Sequence, residues 1–408
     1  MIRHYCLAII FFLTFLSYKI AAQSSVTRFR GPNGQGRYEQ VDTPIQWNEQ
    51  DVIWDISLPG IGHSSPVAWN DIIFVTSADD EKSTGSLFAV HFDNGNLLWR
   101  KDFSFAPFHI NNDNSYASST PAVDSNHVYI LWFSQEETRV AALSHDGQYI
   151  WERTFNGVHS RHGSGTSPVV VDDLLVFTLE QEQAKDSPFN SVWYTLDTQT
   201  GEIRWELERE NARSNSQSTP CLYALQGKTC LLFTSEAHGF CAVDPLTGKE
   251  MWSFNPFDAR TITSPVSSGE ILVASCKGKQ LVVLPQGDSA IIKYELASRT
   301  SPYVPTPVVV DDLLFNVVDN GYVSCHLLET GELLWREKPA GKVYGSPMYA
   351  NGHLYFMDRE GEIVVLQADR IYKLIAVHSL GEGSHATPIV LDNSLILRTF
   401  SRLKRVGG

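Results

Sequence analysis

Three histidines, His63, His162 and His385, stand in short polar loops that each run into a Ser-Pro or Thr-Pro dipeptide. Imidazole titrates near neutrality and ligates metals readily, so histidines gathered at one place could exchange protons or hold an ion. Equivalent loops ahead of other such dipeptides carry Tyr116, Gln217, Arg260 and Tyr344. No carboxylate accompanies the histidines, and their spacing matches no metal motif. The set therefore favours loop side chains that hydrogen-bond neighbouring backbone and line a mouth open to a ligand or partner, over a catalytic or metal centre. The stretch His159-Ser160-Arg161-His162-Gly163 reads as a solvated loop. Ser164 lies between two glycines but precedes a strand, whereas a hydrolase nucleophile elbow sits between strand and helix. Phosphate-loop, dinucleotide and HExxH signatures are absent.

The dipeptide itself reveals what must position these loops. It occurs at Ser65-Pro66, Thr120-Pro121, Ser167-Pro168, Thr219-Pro220, Ser264-Pro265, Thr306-Pro307, Ser346-Pro347 and Thr387-Pro388, at steps of 40 to 55 residues. A β-branched run, a two-residue acidic turn and a second apolar run follow, as in 167–177 and 306–316. That pattern is a β-hairpin, with Pro tolerated at the start of its first strand. A third strand and a turn come next, then a fourth strand ending in Trp. Four strands in each repeat make a propeller blade, and the 3.6-residue periodicity of a helical repeat is missing. The turn into the fourth strand has its own core, at Gly95/Trp99, Gly147/Trp151, Gly201/Trp205, Gly248/Trp252 and Gly331/Trp335. Blades five and seven lack it, with Tyr294 standing in for Trp in blade five. After Pro388 only three strands fit. Val52–Ser57, carrying Trp54, is expected to supply the fourth and close the ring, removing free sheet edges.

The turn pattern AxDxxTGxxxW, clearest at 195–205 and 242–252, resembles the tryptophan-docking motif of PQQ-like, quinoprotein-type eight-bladed propellers. With Phe29-Arg-Gly-Pro-Asn-Gly-Gln-Gly36, the chain also resembles secreted PQQ-like repeat proteins named after the outer-membrane assembly factor BamB. The resemblance implies an all-β, eight-bladed propeller over residues 50–408, behind a signal peptide at 1–22 and an extension at 23–49. It also raises a quinone cofactor. Enzymes of that type carry an adjacent Cys-Cys disulfide and hold calcium through a Glu, an Asn and an Asp. This chain has no adjacent cysteines, and no such set stands at matching positions, so no cofactor is expected.

Composition narrows the class further. The chain has 408 residues, 43% of them hydrophobic and 19% charged, enough for a large core. A formal charge of −14 argues against a nucleic-acid surface. The apolar run Tyr5–Leu16 behind Arg3 and ahead of Ala21-Ala22 reads as a secretory signal. Cys6 stands too early to be a lipoprotein cysteine. No transmembrane segment is expected after signal removal. The remaining cysteines, at 221, 230, 241, 276 and 325, read as buried small hydrophobes, though Cys221 and Cys230 flank a hairpin turn and could pair. Two insertions stand out, 101–117 with Phe103, Phe105, Phe108 and His109, and 181–190. The aromatic one reads either as a partner surface or as a cover over the mouth. These observations point to an exported, periplasmic or secreted, non-catalytic propeller that binds a protein, small ligand or glycan, BamB-like in envelope assembly. The rival is a secreted enzyme, of quinoprotein type or otherwise, working at the mouth.

Overall fold

Each interval between two Ser/Thr-Pro dipeptides folds as a four-stranded antiparallel meander. The first turn is tight and left-handed, at Asp172 (φ 53°), Asp311 (φ 51°) and Asn351 (φ 43°), residue types that tolerate that backbone when β-branched ones do not. The computed structural model describes residues 25–158, 160, 162–182, 190–211 and 214–407. The expected signal peptide and positions 183–189 of the second insertion lie outside them, as do His159 and Arg161. Eight sheets follow in order: blade 1 at 67–104, blade 2 at 122–156, blade 3 at 169–209, blade 4 at 221–254, blade 5 at 266–297, blade 6 at 308–337, blade 7 at 348–379 and blade 8 at 389–406. Blade 8 takes its outer strand from the front of the chain. Val52–Ser57 pairs antiparallel with Arg402–Val406, and Asp55 bridges Arg402 (2.8 Å) and Lys404 (3.1 Å).

The core lies between blades rather than within them. Leu131, Phe133 and Ala142 of blade 2 pack against Leu175 and Phe177 of blade 3, and similar buried clusters fill the other interfaces. Toward the rim, the fourth-strand aromatic of one blade lies on the next blade. Indole nitrogens donate from Trp54 to the Phe92 carbonyl (2.7 Å), Trp99 to His145 (2.8 Å), Trp151 to Thr198 (2.9 Å), Trp205 to Pro245 (2.8 Å), Trp252 to Ser289 (3.0 Å) and Trp335 to Asp369 (3.0 Å). The Tyr294 hydroxyl makes the equivalent bond to Leu328 (2.6 Å). Turn glycines are required beneath these rings. A Cβ at Gly201, whose φ is +69°, would stand 2.6 Å from the Trp151 ring. Blade 7 has no such aromatic, and Trp47 of the extension stacks there on His378 at 3.7 Å instead.

Around the axis, the Ser/Thr-Pro residues form a belt. The backbone N–H of each donates to the side-chain oxygen of the next, from Ser65 to Thr120 and on through Ser167, Thr219, Ser264, Thr306, Ser346 and Thr387, at 3.0 to 3.1 Å. The eighth bond, Thr387 N–H to Ser65 Oγ at 3.0 Å, joins blade 8 to blade 1.

The extension is more than a leader. Ser25–Val26 adds an inner strand to blade 1, and Arg37–Tyr38 adds a parallel one to blade 7. Between them the chain crosses the axis. Arg28 donates to the Pro220 carbonyl, Arg30 to the Pro307 carbonyl (2.7 Å), and Asn33 exchanges two 2.8 Å bonds with the Leu222 backbone. Gln35 accepts from Ser267 N–H at 3.0 Å. Residues 25–38 thus plug one end of the axial channel. All five described cysteines are free and buried, so Cys221 and Cys230 do not pair.

Thr306→Val keeps the side-chain volume but strips the buried Ser264 N–H of its acceptor. It should lower stability by about 1–3 kcal/mol, read as a reduced urea midpoint. The same exchange at exposed Thr247 should stay within about 0.5 kcal/mol. Equal losses at both sites would show that the belt adds nothing.

Candidate functional site at the axial mouth

Because the belt ties every Ser/Thr-Pro to the next in a closed ring, the loops ahead of it converge on the axis. They surround a cavity of about 280 Å³ lined by His63, His162, Gln217, Arg260, Tyr344 and His385, with Phe29 of the plug also in its wall. Tyr116 does not reach it. Its ring packs on Phe105 (4.7 Å) and Phe108 (5.2 Å), and its hydroxyl bonds to the Phe108 backbone.

His63 and His385 meet across the blade 8–blade 1 seam, Nδ1 to Nδ1 at 3.3 Å, so one ring donates and the other accepts. Phe400 contacts both rings and Tyr344 contacts His385. Burial, reinforced by the nearby Arg359, lowers His385 from the usual 6.5 to about 4. Burial, the paired imidazole, Arg398 and Arg359 hold His63 well below its usual value. Both rings are therefore neutral at pH 7. No carboxylate hydrogen-bonds either ring among the described residues, so the pair lacks the group that would orient and charge a general base. Nor do the described residues contain a cluster of three or more His, Cys, Asp or Glu able to hold a metal.

Arg260 organises the other side. Its Nε donates to the Asn215 carbonyl (2.8 Å), its Nη2 to Asn215 Oδ1 (3.1 Å) and its Nη1 to His162 Nε2 (2.6 Å). Accepting there fixes the His162 proton on Nδ1, which lies 3.4 Å from the Asn111 amide and 3.3 Å from that of Asn114. One of these amides consequently presents its oxygen.

Asn111 and Asn114 belong to the first insertion, which runs as a strap over the mouth. On the far side Asp113 pairs with Arg359 and accepts from the Tyr344 hydroxyl (3.3 Å), while Arg359 lies over the Tyr344 ring at 4.8 Å. Burial would raise the Asp113 carboxyl, but the bond to Arg359 and its charge, with Tyr344, hold it below the usual range. Phe103 and Phe105 are buried against Trp132. The insertion therefore turns Phe103 and Phe105 inward as a packed cover, while Phe108 is half-buried and His109 exposed. Asp113, Arg359, Asn111 and Asn114 complete the site, and no local spacing marks them.

The calcium that accompanies a quinone in quinoprotein-type enzymes does not fit these residues. Calcium needs six to eight oxygen ligands, and Asp113, already committed to Arg359, is the single carboxylate of the described lining.

The neutral histidines predict an acid response. Each has a folded pKa below its unfolded value, so their contribution is complete above about pH 6.5 and is lost as the pH falls toward 4. Stability measured by urea titration should decline across that window. The double variant His63→Gln, His385→Gln should flatten the decline, and an unchanged slope would refute the assignment.

Residues 83–286 and 242–398 match the family described as outer membrane protein assembly factor BamB. The assembly factor BamB of Yersinia pestis is 23% identical over 352 residues, covering 85% of this chain and 75% of that protein. Among solved structures, BamB from Moraxella catarrhalis shares the fold at TM-score 0.60 and 15% identity, covering 88% of this chain and 97% of that one. Quinohemoprotein alcohol dehydrogenase from Comamonas testosteroni does so at TM-score 0.67 and 12% identity, covering 94% and 81%. At such identities the structural likenesses speak for the propeller alone, whereas the family match runs from blade 1 through blade 8: the chain belongs to the BamB family of PQQ-like repeat propellers.

Proposed function

We propose that this chain is an exported, non-catalytic propeller that serves outer-membrane protein assembly as a protein-interaction scaffold in the periplasm. The match to the BamB family across 83–398 carries this reading. The axial site supports it. Its two facing histidines are neutral and, among the described residues, no carboxylate hydrogen-bonds either ring; one channel end is plugged by the chain's own residues 25–38, and the other is strapped by Asp113. The leader-like run Tyr5–Leu16 supports export. The rival reading, a quinone-dependent oxidoreductase, draws on likeness to the alcohol dehydrogenase, but the cavity lining does not suit the calcium that accompanies the quinone in such enzymes.

Deleting the gene in the source organism should lower the amounts of outer-membrane β-barrel proteins, measured by quantitative proteomics of the envelope. The full chain should restore them, and a version lacking residues 1–22 should not. The mature protein should purify without visible absorbance and gain none with pyrroloquinoline quinone. Unchanged barrel levels, or a quinone-dependent dehydrogenase activity, would overturn the proposal.

A further inference from the structure

We infer that the axial cavity is a binding site for a small organic carboxylate, received by Arg260 and the hydroxyl belt. This goes beyond the scaffold reading and does not depend on it. The argument starts from donor and acceptor inventory. A hydroxyl has one proton and two lone pairs. In the belt each oxygen accepts a neighbouring N–H, yet no belt hydroxyl donates to an acceptor among the described residues. Six belt residues, Thr120, Ser167, Ser264, Thr306, Ser346 and Thr387, line the cavity. Arg260 spends three of its five N–H groups on Asn215 and His162, leaving one on each terminal nitrogen. The lining is thus rich in uncommitted donors. Its one carboxylate, Asp113, is neutralised by Arg359. Gln217 is buried with Oε1 unpartnered, and its amide can turn to offer N–H instead.

Charge points the same way. Arg28 and Arg30, on either side of Phe29, are buried and bond backbone carbonyls, with no carboxylate hydrogen-bonded to either. With Arg260 they make the axis locally cationic in a chain of formal charge −14, which favours an anion there. Phe29, Ile262, Tyr303 and Val304 add apolar wall, which suits an organic acid better than an inorganic oxyanion. At about 280 Å³ the space falls just below the range of ~300–1,000 Å³ typical of drug-sized ligands. A free small acid or the carboxyl end of an extended peptide shares the required chemistry.

Isothermal titration of the full mature protein tests this. The probes are phenylacetate, N-acetylphenylalanine and N-acetyl-trialanine, each against its amide, with inorganic phosphate alongside. Saturable binding of the carboxylates, absent for the amides and weakened at least about tenfold in Arg260→Gln, is expected. Arg204→Gln, at an exposed pair, should leave it unchanged. Binding of the tripeptide acid as well would point to peptide ends, and binding of the single acids alone to a free metabolite. Two results would overturn the inference: no saturable heat from any carboxylate, or equal binding of acids and amides. Carboxylate binding undiminished in a folded Arg260→Gln protein would also overturn it. If that variant does not fold by circular dichroism, loss of wild-type binding with rising chloride, together with the acid–amide discrimination, decides the question.

Discussion

Eight side-chain oxygens, each accepting the backbone N–H of the blade before, hold this propeller's axis in register. Every link joins a serine to a threonine, and the last, Thr387 to Ser65, brings together residues 322 positions apart. The proline that follows each belt residue restrains it to extended backbone, so its N–H leaves sideways toward the neighbour rather than into a helix. A net hydrogen bond is worth only about 0.5–1.5 kcal/mol, but an unmade one in a dry interior costs more. The belt therefore acts chiefly on uniqueness. A blade displaced by one residue would leave a buried N–H without a partner on one side and an unclaimed oxygen on the other.

The rim repeats the same logic with larger groups. Indoles resting on turn glycines bind each blade to the next. The borrowed strand Val52–Ser57 lets Trp54 do so between blade 8 and blade 1, where Arg405 also lies over the Phe92 ring at 3.7 Å. Where the repeat fails, in blade 7, the extension lays Trp47 on His378. Inner belt and outer rim together leave the loops between them little freedom. That is why eight separate polar loops can define one cavity without a domain built for the purpose.

Function follows from what those loops place at the axis. The imidazoles of His63 and His385 face each other in neutral form, with no carboxylate hydrogen-bonded to either among the described residues. Arg260, the belt hydroxyls and an apolar wall surround the same cavity. The strap held by Asp113 and Arg359 and the plug held by Arg28 and Arg30 are both made from the chain itself. The axis is thereby a pocket rather than a conduit.

Much of this architecture was legible in the linear chain because its signals are local and repeated. Eight Ser/Thr-Pro steps, acidic hairpin turns and the Gly-x-x-x-Trp core are each set within a few residues by backbone sterics, and the missing strand of blade 8 showed as a shortfall. Six of the seven candidate residues converge because they stand two to five residues ahead of a belt position. Tyr116 departs since Phe105 and Phe108, from a non-repeating insertion, offered its ring a drier surface. Asp113 with Arg359, Asn111 and Asn114 with His162, and the plug with the prolines of blades 4 and 6 were decided by the tertiary structure alone. These contacts span the ring between residues 48 to 277 positions apart. A periodic pattern determines which residues share a blade, but only closure of the circle determines which loops face one another across it.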